Sequence, residues 1–384
     1  MDFELNRQEK MIQDSVVEFA KKEFPPEMVR ELDEKEEFPR EIFAKMAKAD
    51  WFSLPIRQEY GGTGGTILEA LLLIQNLSRY FAPAAFGYIL HLMHAHLLDL
   101  HGSSEQKAYF LPKMASGEIF IAIAMTEPSG GTDALNMSSY AESDGDVFIL
   151  NGQKTWISFA DMCDFLITVM RTDVNPKKKS QGITLFISER ENPNIEIRPI
   201  RKLGYRALHC CEVFYDKVEV PASNVIGKIN QGFYHLLDTL NIERLGAAAL
   251  ALGVGEAAFE AALTYAKERI AFNRPIGQFQ HIQRYISDMA LSLEQARLLL
   301  YKAAWLCSKG KPAVLESNMA KLACTEATTQ VTSDAMRIFG SYGFSMESEI
   351  QRYFRDSRLG LFSPVSNEMV RNLICEHFNL PRSY

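Results

Sequence analysis

The amino-acid sequence predicts an α+β protein built from helices, then strands, then helices again. Apolar residues recur at helical spacing through roughly the first 115 residues. Near residue 119 the pattern changes to short runs of β-branched and aromatic residues, separated by turn residues. From Gly232 the helical period returns and continues nearly to the end of the 384 residues. A chain of this length is sufficient for two or three domains.

The first helices are defined by apolar spacing and by breakers. Ile12, Val16 and Phe19 lie on one face of a helix, and the run Phe24-Pro25-Pro26 predicts its end. The segment GGTGGT at 61–66 predicts a flexible turn before a further helix, ILEALLLIQNLSRY.

Short apolar runs predict the strands of the middle region. They read IFIAIAM, VFILNGQKTWIS, DFLITVM, GITLFIS, IEIRPI and CCEVFYDKVEV. Within the second run, Asn151-Gly152 predicts a hairpin turn, because this pair is favoured where both central residues need positive φ.

The long helix predicted after Gly232 carries two adjacent charges in apolar surroundings. Glu243 and Arg244 lie in LNIERLG at 240–246, and the run LGAAALALGVG at 245–255 has no charge. A dry, unpaired charge would be costly, so the pair needs a structural or a chemical reason. Gly246 and the alanines at 247–249 predict room for a pocket beside the helix.

Composition narrows the class of protein. The formal net charge is -7 without a basic stripe, which argues against nucleic acid as the main partner. The 6 cysteines form no CxxC pair, and Cys210-Cys211 are vicinal, which indicates free thiols in a reducing compartment. The N-terminus is charged from residue 2, and no stretch has the ~18 uncharged apolar residues of a membrane span. We therefore expect a soluble, cytoplasmic protein.

A glycine-containing loop and the next strand indicate a flat ligand. In AMTEPSGGTDALN at 124–136, two glycines let the backbone approach a ligand and two threonine hydroxyls can donate to it. QKTWIS at 153–158 adds Trp156 and Ser158, an indole and a hydroxyl that suit an aromatic cofactor. A plain β-turn is the alternative interpretation of the loop alone.

In these stretches the chain resembles the acyl-CoA dehydrogenase family, over nearly its whole length. AMTEPSGGTD matches the first family signature, and FGSYGFSMESEIQRYFRD at 339–356 matches the second. ERIAFNRPIGQFQ at 268–280 looks like the family segment that reaches FAD across a subunit interface. The chain departs at Asn136 and Arg337, where the family usually has a smaller residue and Gln or an acid. The resemblance implies an N-terminal helical domain at 1–118, a middle antiparallel β-barrel-like domain at 119–228 and a C-terminal four-helix bundle at 229–384, assembled as a dimer or tetramer.

The resemblance also implies FAD as the cofactor, lying between the middle domain and the bundle. Thr126 and Ser158 would hydrogen-bond the flavin ring, Trp156 would pack on it, and Arg269 suits the diphosphate. A surface salt bridge is the alternative role of Arg269. The full set assigned to FAD is Met125, Thr126, Gly131, Thr132, Trp156, Ile157, Ser158, Arg269, Phe272, Gln280, Arg337, Ile338, Gly340, Ser341, Ser366 and Glu368. The set assigned to the substrate is Thr132, Asn241, Arg244 and Val365.

The family reaction removes a proton from Cα of an acyl thioester and passes a hydride from Cβ to flavin N5. Most members use a Glu in a C-terminal loop as the base, and a minority use a Glu on the helix where this chain has Glu243. Counting from Asp356 places Pro364 at the loop position, and proline cannot be a base. The resemblance therefore implies Glu243 as the catalytic base. A buried structural pair of Glu243 and Arg244 without chemistry is the alternative.

Pro364 has a second consequence. In the family, the N–H at this position helps to polarise the thioester oxygen, and proline has no N–H. Val365 also replaces the usual glycine. The sequence therefore predicts another donor or a different placement of the thioester.

The resemblance implies α,β-desaturation of acyl-CoA, with an electron-transferring flavoprotein as acceptor. The same site run in reverse would be an enoyl-CoA reductase, and a carrier-protein thioester is a variant substrate. A flavin oxidase and a non-catalytic FAD-binding subunit are alternatives of other classes. The histidines at 91, 94, 96 and 101 lack a fitting set of carboxylates, so we predict no metal site.

Overall fold

The computed structural model describes residues 4–381, and its elements follow the predicted order of helices, strands and helices. The N-terminal helices are α1 (Arg7–Glu23), α2 (Pro26–Lys35), α3 (Glu41–Lys48), α4 (Ile67–His101) and α5 (Ser104–Ala115). The predicted stop is confirmed, since α1 ends at Glu23. Pro26 then opens α2, because the first turn of a helix does not use the missing N–H.

Helix α4 is the buried axis of the N-terminal part. It begins after the predicted turn, where Thr66 and Glu69 form a capping box. Its path bends at Phe81, two residues before Pro83, because proline cannot continue the regular helical pattern of hydrogen bonds. It packs against α1 on the outside and against the long C-terminal helix α6 on the inside.

The middle part is one sheet of eight strands. They are β1 (Ile121–Ala124), β2 (Tyr140–Asp144), β3 (Val147–Ser158), β4 (Phe165–Arg171), β5 (Ile183–Glu189), β6 (Ile195–Ile200), β7 (Cys210–Pro221) and β8 (Val225–Ile226). The order is β6-β7-β3-β2-β4-β5-β8, and β1 pairs with β4. Most neighbours are antiparallel, but β1 and β4 are parallel, as is the single pair of β2 and β4.

The hairpin predicted at Asn151-Gly152 is wrong. β3 runs continuously through both residues, and its register against β7 shifts between Leu150 and Gly152. Ser139 packs so closely that a Cβ on Gly152 would lie 2.4 Å from its hydroxyl oxygen. Glycine is therefore favoured at position 152 because the strand is irregular there and Ser139 approaches its backbone closely. The hairpin lies earlier, at Gly145, whose φ is 60°.

The C-terminal part is helical. It contains α6 (Gly232–Glu268), α7 (Gln280–Ser308), α8 (Val314–Phe339), α9 (Ser341–Phe344), α10 (Glu349–Ser357) and α11 (Asn367–His377). The pair β9 (Ile270–Ala271) and β10 (Arg274–Pro275) forms a small hairpin between α6 and α7. Helices α6, α7 and α8 pack on one another, and α11 adds a fourth helix against α8.

Helix α6 is apolar because it is the core of the protein. Its most apolar window has a mean hydropathy of 1.4, enough for a membrane span by length and composition. However, 78% of that window is buried inside the protein, as in the core helix of a soluble protein.

Room beside Gly246 was expected, and this prediction is wrong. A Cβ on Gly246 would lie 3.0 Å from Ile89 of α4, so that helix already occupies the space. Farther along, a Cβ on Gly253 would lie 2.0 Å from the carbonyl oxygen of Gln75. The small residues of α6 therefore permit close packing of α4 and α6.

Candidate active site

A buried ion pair fixes the loop that follows β1. Lys154 Nζ lies 2.8 Å from Glu127 Oε1, and both side chains are buried. Glu127 also accepts hydrogen bonds from the amides of Ser138 (2.6 Å) and Ser139 (3.0 Å). Lys154 in addition donates to the carbonyl of Met125 at 3.2 Å. These bonds join both ends of the loop to β3.

The pKa values of Glu127 and Lys154 are both shifted, in the directions expected for a buried ion pair. Burial disfavours ionisation of Glu127, but Lys154 and the hydrogen bonds outweigh it and lower the pKa to about 2. Burial also lowers the pKa of Lys154, although the carboxylate opposes the shift. The loop is therefore held by a carboxylate that stays ionised at any physiological pH.

Trp156 projects from β3 at a bulge. The register of β3 against β7 shifts between Lys154 and Ile157, and Trp156 has a φ of 62°. As a result its side chain is 56% exposed while that of Ile157 is buried. Ser158 follows, with its hydroxyl 3.5 Å from the thiol of Cys210. An exposed indole beside a half-buried hydroxyl fits the flat ring of a flavin.

The glycine-containing loop lies alongside this edge. The carbonyl of Thr126 accepts from the amide of Thr155 at 2.8 Å, which ties the loop to the strand of Trp156. Gly131 and Thr132 are exposed, whereas Met125 and Thr126 are half-buried. The structure thus brings together all the residues that the sequence assigns to FAD in the middle domain.

Glu243 lies on α6 between the face that packs on α4 and the face that packs on α8. Gly246 faces Ile89 of α4, and Gly255 faces Thr328 of α8. With 3.6 residues per turn, Glu243 lies about 60° from the Gly246 direction, and Arg244 lies within about 20° of the Gly255 direction. Glu243 is half-buried, and among the described residues its carboxyl makes no hydrogen bond or ion pair. The structural pair with Arg244 is therefore not formed, since adjacent residues of a helix do not face each other.

The surroundings of Glu243 favour its protonated form. Burial raises the pKa of the carboxyl to about 7, and the charge of Arg244 acts in the opposite direction. A carboxyl with this proton affinity can exchange a proton with a substrate near neutral pH. The position of this group is therefore suited to a general base.

Arg244 is buried, with only 7% of its surface exposed, and has almost no partner. Its Nη1 donates to Asn241 Oδ1 at 3.3 Å, and its buried Nε has no hydrogen-bond partner. Burial lowers the pKa of the guanidinium, and Glu243 opposes this shift.

Lys321 of α8 holds the loop that contains Pro364. Its fully buried ammonium donates to the carbonyls of Gly360 (2.8 Å) and Val365 (2.6 Å) and to Asn367 Oδ1 (2.7 Å). Burial lowers the pKa of Lys321 to about 8; nearby carboxylates oppose the shift, and the charge of Arg244 adds to it. Lys321 therefore holds this loop and lies near enough to Arg244 for the two charges to interact.

Next to this loop, Ser366 and Glu368 lie at the start of α11. Ser366 is its N-cap and accepts from the amide of Met369 at 3.3 Å. Glu368 is exposed in the first turn. Val365 is half-buried.

The remaining residues assigned to FAD form an exposed group on the helical part. Phe272 is 90% exposed at the β9–β10 hairpin, and Arg269, Gln280, Gly340 and Ser341 are exposed as well. The guanidinium of Arg269 lies 5.6 Å from the ring centre of Tyr342, and among the described residues it forms no salt bridge. Arg337 is exposed but pairs with Asp334 at 3.0 Å, and Ile338 is buried.

Two histidines of α4, His91 and His94, are buried in the core, and His101 contacts helix α6. His91 bonds the carbonyl of Phe52 at 2.7 Å, and burial lowers the pKa of His94 to about 3. In the described part of the chain, His101, His235 and Asp238 bring potential metal ligands within 4.8 Å of one another. Because His235 Nε2 already accepts from the amide of Lys228 at 3.1 Å, we interpret this cluster as a contact between α4 and α6.

Sequence reasoning missed Lys154, Glu127 and Lys321. Glu127 and Lys154 lie inside the two quoted motifs, each a single charge beside apolar strand residues. That signal was available, because a charge in a buried strand requires a partner. No comparable signal marked Lys321, because its acceptors lie 39 to 46 residues farther along the chain.

Comparisons with known proteins match nearly the whole chain. Family models for the N-terminal, middle and C-terminal domains of acyl-CoA dehydrogenases match residues 6–118, 122–218 and 230–378. A short-chain specific acyl-CoA dehydrogenase of Clostridium acetobutylicum is 35% identical, covering 94% of both chains. A subunit of the caffeyl-CoA reductase–Etf complex of Acetobacterium woodii is 35% identical, covering 92% of this chain and 93% of that one.

A solved structure adds the fold. Butyryl-CoA dehydrogenase from Megasphaera elsdenii matches with a TM-score of 0.95 and 31% identity, covering 99% of this chain and 100% of that one. The middle sheet between two helical parts is thus that of a known architecture. The chain belongs to the acyl-CoA dehydrogenase family, whose members are FAD-dependent oxidoreductases that act on the CH–CH group of acyl-CoA.

Proposed function

We propose that this protein desaturates an acyl-CoA between Cα and Cβ and that Glu243 is the base that removes the Cα proton. The observation that carries the proposal is the unpaired, half-buried carboxyl of Glu243, whose pKa burial raises to about 7. A base with that pKa is ionised in a useful fraction of molecules at neutral pH and still has a high proton affinity. Pro364, at the other position used in the family, has no titratable group.

FAD, when bound, supplies the acceptor for the hydride that leaves Cβ. The residues that would hold its ring are Thr126, Trp156 and Ser158 on the β3 edge, positioned by the Glu127–Lys154 pair. Met125, Gly131, Thr132 and Ile157 complete this side. Asn241, Arg244 and Val365 would contact the thioester, and Thr132 the pantetheine arm.

We infer that the exposed group around Phe272 binds FAD in a second copy of this chain. The ring of Phe272 is 90% exposed, and it lies in the segment that, by resemblance, reaches the FAD of a neighbouring subunit. Arg269, Gln280, Arg337, Ile338, Gly340 and Ser341 would then contact the cofactor across the interface, with Arg269 on the diphosphate. A homodimer or homotetramer follows, with Ser366 and Glu368 beside the cofactor.

The electron acceptor and the direction are proposed from the relatives. The Etf-linked caffeyl-CoA reductase subunit supports an electron-transferring flavoprotein as partner of this protein, and it also supports the reverse, enoyl-CoA-reducing direction. Free thiols at all 6 cysteines support a cytoplasmic location. A carrier-protein thioester, a flavin oxidase and a non-catalytic FAD-binding subunit remain the alternatives.

Anaerobic bleaching of the flavin tests the proposal. The FAD-loaded protein is mixed with butyryl-CoA, isovaleryl-CoA, 3-phenylpropionyl-CoA and glutaryl-CoA, and flavin absorbance is followed. We expect at least one thioester to bleach the wild type and the control Glu260→Gln, which removes an exposed carboxyl of the same helix. Glu243→Gln should bleach at least about 10³-fold more slowly.

Other outcomes select the alternatives. A yellow protein that no thioester bleaches would support a non-catalytic subunit. Oxygen consumption at the rate of turnover, without an added acceptor, would support an oxidase. Equal bleaching rates in wild type and Glu243→Gln would remove Glu243 from the mechanism while leaving the activity in place.

A further inference from the structure

The starting observation is a buried cation without an anion. An arginine carries five N–H donors, and Arg244 uses one of them in the protein, at 3.3 Å to Asn241. Its Nε is buried and has no partner, and the described residues provide no carboxylate within ion-pair distance. A buried unpaired charge costs several kcal/mol, so this arrangement needs an acceptor that the chain itself does not supply.

The nearby loop does not satisfy Arg244. The carbonyls of Gly360 and Val365 are already bonded to Lys321, which lies close enough to Arg244 to repel it. Lys321 itself bonds only neutral oxygens, including Asn367 Oδ1. The space beside the loop therefore contains two buried cations, and its vacant donors belong to Arg244.

The loop also lacks a donor of its own at Pro364. Removal of a proton next to a thioester moves negative charge onto the carbonyl oxygen, and that oxygen must be stabilised by donors already in place. Arg244 follows Glu243 in the same turn of α6, and its side chain is long enough to extend from its own face of the helix toward a thioester whose Cα lies at Glu243.

We propose that Arg244 donates to the thioester oxygen of the bound substrate and takes the place of the amide that Pro364 lacks. This inference rests on the proposed function and makes Arg244 a catalytic residue beside the base. Lys321 bonds the carbonyls of Gly360 and Val365, so these oxygens are already satisfied without Arg244. The substrate oxygen completes the hydrogen bonding that the free protein leaves open.

Arg244→Met tests the proposal by separating catalysis from stability. Removing one donor of this kind costs about 10²–10³-fold in kcat. We expect that loss with flavin content unchanged and with less than about tenfold change in thioester affinity, since the donor acts mainly on the transition state. We also expect Tm to stay level or rise, because the substitution removes an unpaired buried charge. Arg244→Lys should recover part of the rate, since it keeps the charge and loses the planar fork.

A spectroscopic arm reports on the carbonyl directly. Crotonyl-CoA with a 13C carbonyl is bound to the FAD-loaded protein, and its carbonyl stretch is measured by isotope-edited infrared spectroscopy. In the wild type and in Arg198→Gln, an exposed arginine paired with Glu196, the stretch should fall below that of free crotonyl-CoA. In Arg244→Met it should return toward the free value.

Three results would overturn the assignment. The first is a carbonyl stretch in Arg244→Met that equals the wild-type value. The second is a Tm loss of several degrees together with lost flavin, which would mean a structural role. The third is a rate loss with glutaryl-CoA far larger than with butyryl-CoA, which would assign Arg244 to a carboxylate on the acyl chain. If the wild type bleaches with no thioester, the proposed function fails instead.

Discussion

Glu243 illustrates how a single residue obtains its chemistry from what surrounds it. Within residues 4–381 the carboxyl has no hydrogen-bond donor, and the charged group that acts on it, Arg244, faces a different side of the helix. The effect of burial therefore exceeds that of the Arg244 charge and raises the pKa of Glu243 to about 7. The sequence alone predicted the position of this residue by resemblance and by the exclusion of Pro364. It could not predict that the carboxyl is unpaired, because that depends on the rotation of α6 between α4 and α8.

The pH dependence of the rate follows from this residue. The base must be ionised to accept the proton, so the single-turnover rate of flavin bleaching should rise from pH 6 to pH 8 and level off above a pKa of about 7. The measurement is the bleaching rate of the wild type across this pH range, with the thioester at a saturating concentration at each pH. A rate that is flat from pH 5 to 8 would contradict the account.

The ionised carboxyl of Glu243 should lower the free energy of unfolding. Its pKa is about 7 in the folded protein against an ordinary value of 4.5, so the folded state binds more protons and stability falls as pH rises through this window. Glu243→Gln removes that cost, and at pH 8 we expect a gain of about 1–2 kcal/mol after allowance for partial exposure, or about 2 °C in Tm. At pH 4.5 the gain should vanish. Thermal scans of both proteins without substrate provide the comparison, and a lower Tm for the variant at pH 8 would be inconsistent with this account.

At the scale of elements, the loop after β1 depends on its tie to β3. Glu127 and Lys154 are buried together, and the loop that carries Thr126 and Gly131 is held at both ends by their bonds. The sequence located this loop and Trp156 correctly as neighbours. It did not reveal the bulge between Lys154 and Ile157 that exposes Trp156. It also misplaced the hairpin, because Asn151-Gly152 is typical of a turn unless the close packing of Ser139 is known.

Glu127→Met tests this tie. Removing one partner of a buried pair leaves an uncompensated charge and costs about 3–5 kcal/mol. We expect a lower Tm and a weaker flavin affinity, measured by cofactor loss on dilution. The double variant Glu127→Met/Lys154→Met should recover part of the Tm. In the wild type this contribution is present above pH 4.5 and lost only as pH falls toward the lowered pKa of about 2. Additive effects of the two substitutions would show that the pair is not coupled.

The packing of α4 on α6 is the second lesson at this scale. Gly246 and the alanines at 247–249 suggested a pocket from the sequence, yet Ile89 of α4 occupies the space beside Gly246. Small residues in a helix are compatible with a cavity or with a close helix neighbour. Only the position of the neighbouring helix decides between them.

At the scale of the whole molecule, the order of helices, strands and helices was predictable because period 3.6 and period 2 are distinct over long segments. The exposed surface around Phe272 was predictable only through resemblance. A single chain leaves this aromatic side chain 90% exposed, and the proposed second copy of the chain would cover it.

Phe272→Glu tests the proposed assembly. A charge on this surface should be excluded from an apolar interface, so we expect a smaller species by sedimentation and at least about tenfold weaker FAD binding. Val174→Glu is the matched control, since Val174 is 75% exposed on the loop after β4, away from the proposed interface. An unchanged sedimentation coefficient for Phe272→Glu would argue against an interface at the β9–β10 hairpin.

The most direct test of the central claim is exchange of the Cα hydrogen, which requires the base but no electron acceptor. The FAD-loaded protein is incubated anaerobically in heavy water with a thioester that bleaches the wild type, and deuterium at Cα is measured by mass spectrometry. The account predicts exchange by the wild type and by Glu260→Gln, and at least about 10³-fold slower exchange by Glu243→Gln at equal flavin content. Exchange by Glu243→Gln at the wild-type rate would contradict it.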